Sequence, residues 1–327
     1  MTLKGTISVL SHTSDILRGN PLGDPHVREV FVYLPPGYET GREHYPSVYC
    51  LTGFTGRGKA LLNDNAFTPN LAERMDRLIV QGSVKPMILV MPDCFTRYGG
   101  SQYINSTATG NYEDYLTSEI VPFVDQNFRT LADRGARAVM GKSSGGYGAL
   151  IMGMRHADLF NMVCSTAGDC YFEYAYPPEF PKAFRRINGD PKRFIDDFWS
   201  TEKKTGDWHP ALDTIGMSAC YSPNGEDFDL PFDIKTGEMR NDIWQRWLEH
   251  DPVRLVEKHV ENLKSLRLLF LDAGTRDEFG LDIGAKILSS KLSKLGIDHL
   301  HEEFDDGHGG ISYRYDRSLD LISSHLP

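Results

Sequence analysis

Arg137-Ala138-Val139-Met140-Gly141-Lys142-Ser143-Ser144-Gly145-Gly146-Tyr147-Gly148 is the stretch that decides the fold, because it carries a short buried-strand pattern directly into Gly-x-Ser-x-Gly. Tyr147 to Met154 then continues as a small-residue, apolar segment of helical length. Strand, sharp turn and helix follow in that order. The turn puts a serine at its strained apex with the hydroxyl exposed, and the flanking glycines keep side chains out of a crowded corner. Ser143 is therefore the candidate nucleophile. A glycine-rich loop between two core elements would explain the turn, but not why a hydroxyl occupies its apex.

Outward from this point the same rhythm recurs. Val27 to Leu34 reads as a strand closed by Pro35-Pro36-Gly37, Val48 to Leu51 as a second that runs into Thr52-Gly53-Phe54, and Met87 to Met91 as a third stopped by Pro92. Apolar residues recur at helical spacing over 61–80 and 112–128. Asn161 to Gly168, Leu266 to Leu271 and His299 to Phe304 supply further strands before a carboxy-terminal helix. Alternating strands and helices, with several strands too apolar for either face to be wet, predict one α/β domain over 1–327 with a mostly parallel central sheet flanked by helices.

One region breaks the rhythm. From Tyr171 to about Leu263 there is no clear strand but many aromatics, prolines and charges, so a helical or irregular insertion is expected before the strand at Leu266. Its place next to catalytic loops suggests a lid or pocket wall, with Trp244 and Trp247 joining Gly53 as substrate-binding residues. An insertion core of its own would use the same aromatics.

The 327 residues can bury an extensive core, and a net charge of −10 argues against a phosphate-binding surface and hence against nucleic acid. Five cysteines without C-x-x-C spacing indicate no disulfide framework. The first ten residues lack a secretory h-region and no apolar run approaches membrane-spanning length, so a cytoplasmic protein without membrane contact is expected. The expected partner is a small-molecule ester; self-association is left open.

A serine hydroxyl needs a base, and the base needs a carboxylate that sets its tautomer. In chains with this turn the order is Ser, then Asp or Glu, then His. His308 alone among the late histidines sits in a small-residue turn, Asp305-Asp306-Gly307-His308-Gly309-Gly310, after the last strand. Asp277 lies in the loop beyond the strand at Leu266 and is the preferred acid, with Asp272 closer to the strand and Glu278 one residue further within reach of a two-residue error. Donors for a tetrahedral oxyanion are expected from the backbone N–H of Ser144, after the nucleophile, and of Phe54, in the loop that follows the strand at Val48 to Leu51. His299-Leu300-His301 superficially resembles metal ligands, but strand alternation accounts for its spacing, and 53–58 lacks the Gly-Lys-Ser/Thr of a phosphate loop. Neither a metal nor an organic cofactor is expected.

With Gly141 to Gly145, Gly274-x-x-Asp277 and Gly307-His308 in this order, the sequence resembles the esterase D and enterochelin esterase-like family of α/β-hydrolases. Tyr33-Leu34-Pro35-Pro36-Gly37-Tyr38, Leu51-Thr52-Gly53-Phe54, Met91-Pro92-Asp93 and Tyr112-Glu113-Asp114-Tyr115 add to the likeness, which covers about 28–170 and 264–315. That family includes S-formylglutathione hydrolases, feruloyl esterases and mycolyltransferases. The resemblance implies Ser143 as nucleophile, Asp277 as acid, His308 as base, and Phe54 and Ser144 as oxyanion donors, in a serine ester hydrolase. Thr52 stands where relatives often have histidine, and the long insertion departs from compact relatives. Acyl transfer by the same residues, or a hydrolase-shaped binding protein without turnover, stands beside hydrolysis.

Overall fold

The computed structural model describes residues 3–327. Thr6–Thr13 (β1), Val27–Leu34 (β2), Ser47–Leu51 (β3), Ile88–Pro92 (β4), Arg137–Lys142 (β5), Met162–Thr166 (β6), Leu268–Gly274 (β7) and Leu300–Phe304 (β8) form one sheet in the order β1-β2-β4-β3-β5-β6-β7-β8. The pairs from β4 to β8 are parallel, whereas β1 with β2 and β2 with β4 are antiparallel. Chain order reverses around β3, so the carboxyl ends of β3 and β5 border the crevice where open α/β sheets bind ligands.

The inner strands β3 to β7 are buried along nearly their whole length because both faces are covered. Val30 and Val32 of β2 and Tyr49 of β3 enter one core, while Phe31 and Tyr33 with Val48 and Cys50 enter the other, as a period of two dictates. The second core is closed by Leu71–Val80 (α1) and, from the far end of the chain, by a carboxy-terminal helix. The first is closed by Ser144–Arg155 (α2), Trp208–Tyr221 (α3) and Leu281–Lys294 (α4), and the carboxy-terminal helix on the opposite face is Arg314–His325 (α5). All five cysteines are free and buried.

Three details depart from the sequence reading. β1 has no counterpart in it: this edge strand leaves Ile7 and Val9 partly exposed, so its apolar residues mark no core face. The helix expected over 61–80 begins only at Leu71, where Asn70 accepts the Glu73 N–H and Glu73 accepts the Asn70 N–H, a reciprocal cap that sets the start. The helix expected over 112–128 contains a wide turn at Tyr115–Ile120.

The segment from Tyr171 onward is helical, as expected, with one short hairpin. Its two ends are tied by Asp251, fully buried, which accepts the backbone N–H groups of Tyr171 and Phe172 at 3.0 Å each and of Val253 at 2.9 Å. Burial raises the Asp251 pKa and the three N–H donors oppose the rise, so the carboxyl closes a long excursion next to the sheet edge. Among the described residues no helix is long and apolar enough to cross a membrane.

Candidate active site

Ser143 sits between β5 and α2 with φ 57° and ψ −129°, a conformation that L-residues adopt only under constraint. The constraint is backbone crowding. A Cβ at Gly145 would lie 2.2 Å from the Leu51 carbonyl oxygen, and one at Gly141 would lie 2.3 Å from the carbonyl oxygen of Gly145. Glycine at both positions lets β3 and the turn touch, and the serine is left at the apex. Of the other described non-glycine residues with positive φ, Thr55, Gln102, Tyr103, Ala167 and Tyr171 lie in loops that leave the same edge of the sheet, and Asn188 ends a helix of the insertion.

β7 and β8 are parallel neighbours, so the loops that follow them run side by side: the Thr275 N–H donates to the Phe304 carbonyl at 2.8 Å and the Arg276 N–H to Asp306 at 2.9 Å. This zipper brings Asp277 to His308. Their Oδ2 and Nδ1 are 2.8 Å apart, and His308 Nε2 lies 3.1 Å from Ser143 Oγ. A carboxylate at Nδ1 selects the tautomer whose Nδ1–H donates to Asp277 and whose Nε2 accepts the serine proton. Asp277 is held in turn by the Phe279 N–H at 2.9 Å.

The neighbouring acids have other work. Asp272, within β7, is buried and accepts from Arg314 Nε at 2.6 Å. Glu278 accepts the His308 backbone N–H at 2.7 Å, so consecutive acids hold the same histidine by its ring and by its main chain.

Ser144 opens α2, where the N–H has no intrahelical acceptor. Gly53 runs against the serine turn, with a Cβ built on it only 3.3 Å from Ser143 Cβ, and the Phe54 N–H donates to no backbone carbonyl among the described residues. Both expected oxyanion donors thus lie beside Ser143, with no hydrogen-bond acceptor for either N–H among the described residues.

Sequence reasoning misses Asp169. Its Oδ2 accepts from Gln102 Nε2 at 3.1 Å, Ser144 Oγ at 3.2 Å and Tyr176 OH at 3.1 Å, which anchors the residue after the nucleophile. Burial raises its pKa, and these hydrogen bonds oppose the rise. The one signal available was its position, Gly168-Asp169 immediately beyond β6 at the ligand edge.

A cavity of about 270 Å³ opens at Ser143, and Gly53, Phe54, Phe279 and His308 form one side of it. Tyr176, Glu179, His209 and Asp213, from the insertion, form the other. Trp244 and Trp247 are not among its walls, which corrects the expectation that they bind substrate. Trp247 is fully buried, with Tyr176, Phe180, Tyr221 and Trp244 ring centroids within 5.8 Å and its indole N–H on Ser222 Oγ at 2.9 Å. The tryptophans are the insertion's own core, because a pair on one helix turn faces inward together. His299 is engaged by Ser289 and the Ile297 carbonyl, and among the described residues no three His, Cys, Asp or Glu side chains converge as metal ligands.

Residues 25–308 match the Esterase family model, whose description reads "Putative esterase". Over 169 residues, 48% of the chain, the sequence is 31% identical to an endo-1,4-beta-xylanase/feruloyl esterase of Xylanibacter ruminicola, of which this is 21%. Over 142 residues, 42% of the chain, it is 32% identical to an esterase of Mycobacterium tuberculosis, covering 28% of that protein. The chain therefore matches well under a third of the length of these curated relatives. Among solved structures, a ferulic acid esterase superposes with a TM-score of 0.64 at 20% identity, covering 99% of this chain and 100% of that one. An S-formylglutathione hydrolase from Agrobacterium tumefaciens gives 0.62 at 18% identity, covering 100% and 98%. These likenesses establish the fold, an α/β-hydrolase fold with a mostly parallel sheet of eight strands flanked by helices. Since the family model spans most of the sequence, from before β2 to His308, the chain belongs to the Esterase family.

Proposed function

We propose that this protein is a serine hydrolase of carboxylic esters that works through an acyl-enzyme on Ser143. The observation that carries the reading is the unbroken hydrogen-bond chain from Ser143 Oγ through His308 to Asp277, at 3.1 and 2.8 Å, on a backbone turn that exposes the serine. His308 Nε2 takes the hydroxyl proton as Oγ bonds to the ester carbonyl carbon, and the carbonyl electron pair moves onto oxygen. The N–H groups of Phe54 and Ser144 receive that oxyanion. When it collapses, the C–O bond to the alcohol breaks and His308 returns the proton to the leaving oxygen. Water, deprotonated by His308, then attacks the acyl-enzyme and releases the acid while Ser143 regains its proton. Asp277 stays ionised and stabilises the imidazolium in both halves.

Relatives named for feruloyl ester and S-formylglutathione hydrolysis support a small-molecule ester or thioester as the substrate. Labelling with a fluorophosphonate, followed by location of the adduct, tests the reading directly. Ser143 in folded protein is expected to react, and Ser143→Ala is expected to lose both the adduct and hydrolysis of an activated ester by roughly four to six orders of magnitude. An unlabelled Ser143, or unchanged turnover in the variant, refutes it. Product analysis with added alcohols separates hydrolysis from acyl transfer: a dominant transfer product at low alcohol concentration would replace the hydrolase assignment.

A further inference from the structure

Asp213 and Glu179 of the insertion line the Ser143 cavity together with Asp169, and whereas Glu179 pairs with Lys182, Asp213 has no ion pair among the described residues. Asp213 lies on α3 one turn after His209, so both face the cavity together. Burial raises the Asp213 carboxyl well above the usual carboxylate range, and the neighbouring Asp169 and Glu179 raise it further, so a cation beside it would favour its ionised form. Asp169 is 6% exposed and also lines the cavity; its three hydrogen bonds all fall on Oδ2, which leaves Oδ1 without a partner among the described residues. Glu179 keeps one oxygen on Lys182 at 2.8 Å, and its other oxygen has no hydrogen-bond partner among the described residues. Lys142, the single lysine of the lining, interacts with Asp277 and Glu278 instead.

Asp169 is buried and Glu179 and Asp213 are half-buried, and carboxylates that crowd one another in a partly enclosed space are costly unless a positive or hydrogen-donating group joins them. The rings of Phe54, Tyr176 and Phe279 line the same space. Carboxylates beside aromatic faces are the chemistry that holds an alkylammonium ion, by charge on one side and by the ring quadrupole on the other. We propose that this wall is a cation subsite, and that the preferred ester carries an ammonium group on the part that occupies the cavity. The proposal rests on the ester-hydrolase reading of Ser143. A volume of about 270 Å³ equals roughly nine waters, which accommodates a short alkyl chain with a trimethylammonium end.

Isosteric pairs test it, because trimethylammonium and tert-butyl differ in charge and hardly in shape. On the acyl side the pair is the 4-nitrophenyl esters of 6-(trimethylammonio)hexanoic and 7,7-dimethyloctanoic acid; on the alcohol side it is 2-(trimethylammonio)ethyl and 3,3-dimethylbutyl hexanoate. One pair is expected to show at least a tenfold lower KM for the cation, and the cation-to-neutral ratio of kcat/KM is expected to fall several-fold in Asp213→Asn. Hexyltrimethylammonium should inhibit the unmodified enzyme competitively, more tightly than 1-hexanol, which keeps the test independent of how well the variant folds. Equal kcat/KM within both pairs, a ratio unmoved in a folded Asp213→Asn, or a hydroxyl-ended acyl ester preferred to the cationic one overturns the subsite. Absence of turnover on every ester together with an unlabelled Ser143 is a different result, and it removes the ester-hydrolase reading beneath it.

Discussion

The edge of the sheet around Ser143 and the aromatic centre of the insertion lie close together, yet they are built by opposite rules. At the edge, polar groups from 53–54, 143–144, 277–278 and 308 meet across strained loops, and each is placed by a backbone contact: Gly145 against Leu51, Thr275 against Phe304, His308 N–H on Glu278. In the insertion, Phe180, Tyr221, Trp244 and Trp247 fill a volume with no such exactness, and edge-to-face rings share the contact. Removing an edge residue should therefore cost rate with little stability, whereas removing a ring should cost stability with little change in specificity.

The largest effect that would sharpen this contrast is at the acid. Asp277→Asn keeps the shape of the site but offers His308 Nδ1 the wrong partner, so kcat is expected to drop by about 10⁴ while the thermal midpoint moves little. Stopped-flow or end-point hydrolysis of an activated ester, with calorimetry on the same sample, measures both. A tenfold loss only would mean that another carboxylate takes over, with Glu278 the nearest candidate.

Trp247→Ala is the converse experiment. Loss of a fully buried indole and of its bond to Ser222 is expected to destabilise the protein by about 3–5 kcal/mol, with KM for the surviving folded enzyme unchanged within about twofold. A change in ester preference without a shift in the urea midpoint would break the comparison, since it would make the ring part of the substrate site after all.

The smallest effect comes from pH. Burial, reinforced by Arg155 and Arg246, pushes His250 down to about 4. In the unfolded chain the same imidazole titrates near 6.5. Between these values the unfolded state binds a proton that the folded state refuses, so this contribution to stability is complete above about pH 6.5 and is lost as pH falls towards 4. Urea midpoints at pH 7 and pH 5 should differ less in His250→Asn than in the parent. An identical slope in both would place the acid sensitivity elsewhere.

How much was legible beforehand follows the same division. Local signals, readable in a few consecutive residues, carried the serine turn, the apolar strands β2 to β7, the small-residue loop at His308 and the presence of an insertion. Signals that depend on what lies opposite were silent. Position in the loop already favoured Asp277 over Asp272 and Glu278, but it could not show the contact; the parallel register of β7 with β8 brings Asp277 to Nδ1 of His308 and leaves Asp272 and Glu278 to other partners. Trp244 and Trp247 look the same as core and as pocket wall until the neighbouring helices are in place.

The chain alone therefore determined the alternating architecture, the serine at its apex and the order of the residues that meet it, because backbone geometry and apolar periodicity act over short distances. Tertiary structure alone decided what Asp272 and Glu278 hold instead, which rings are buried, and that Asp169, Glu179 and Asp213 face one cavity. Those are relations between segments far apart in sequence, and a residue's type does not say what will be packed against it.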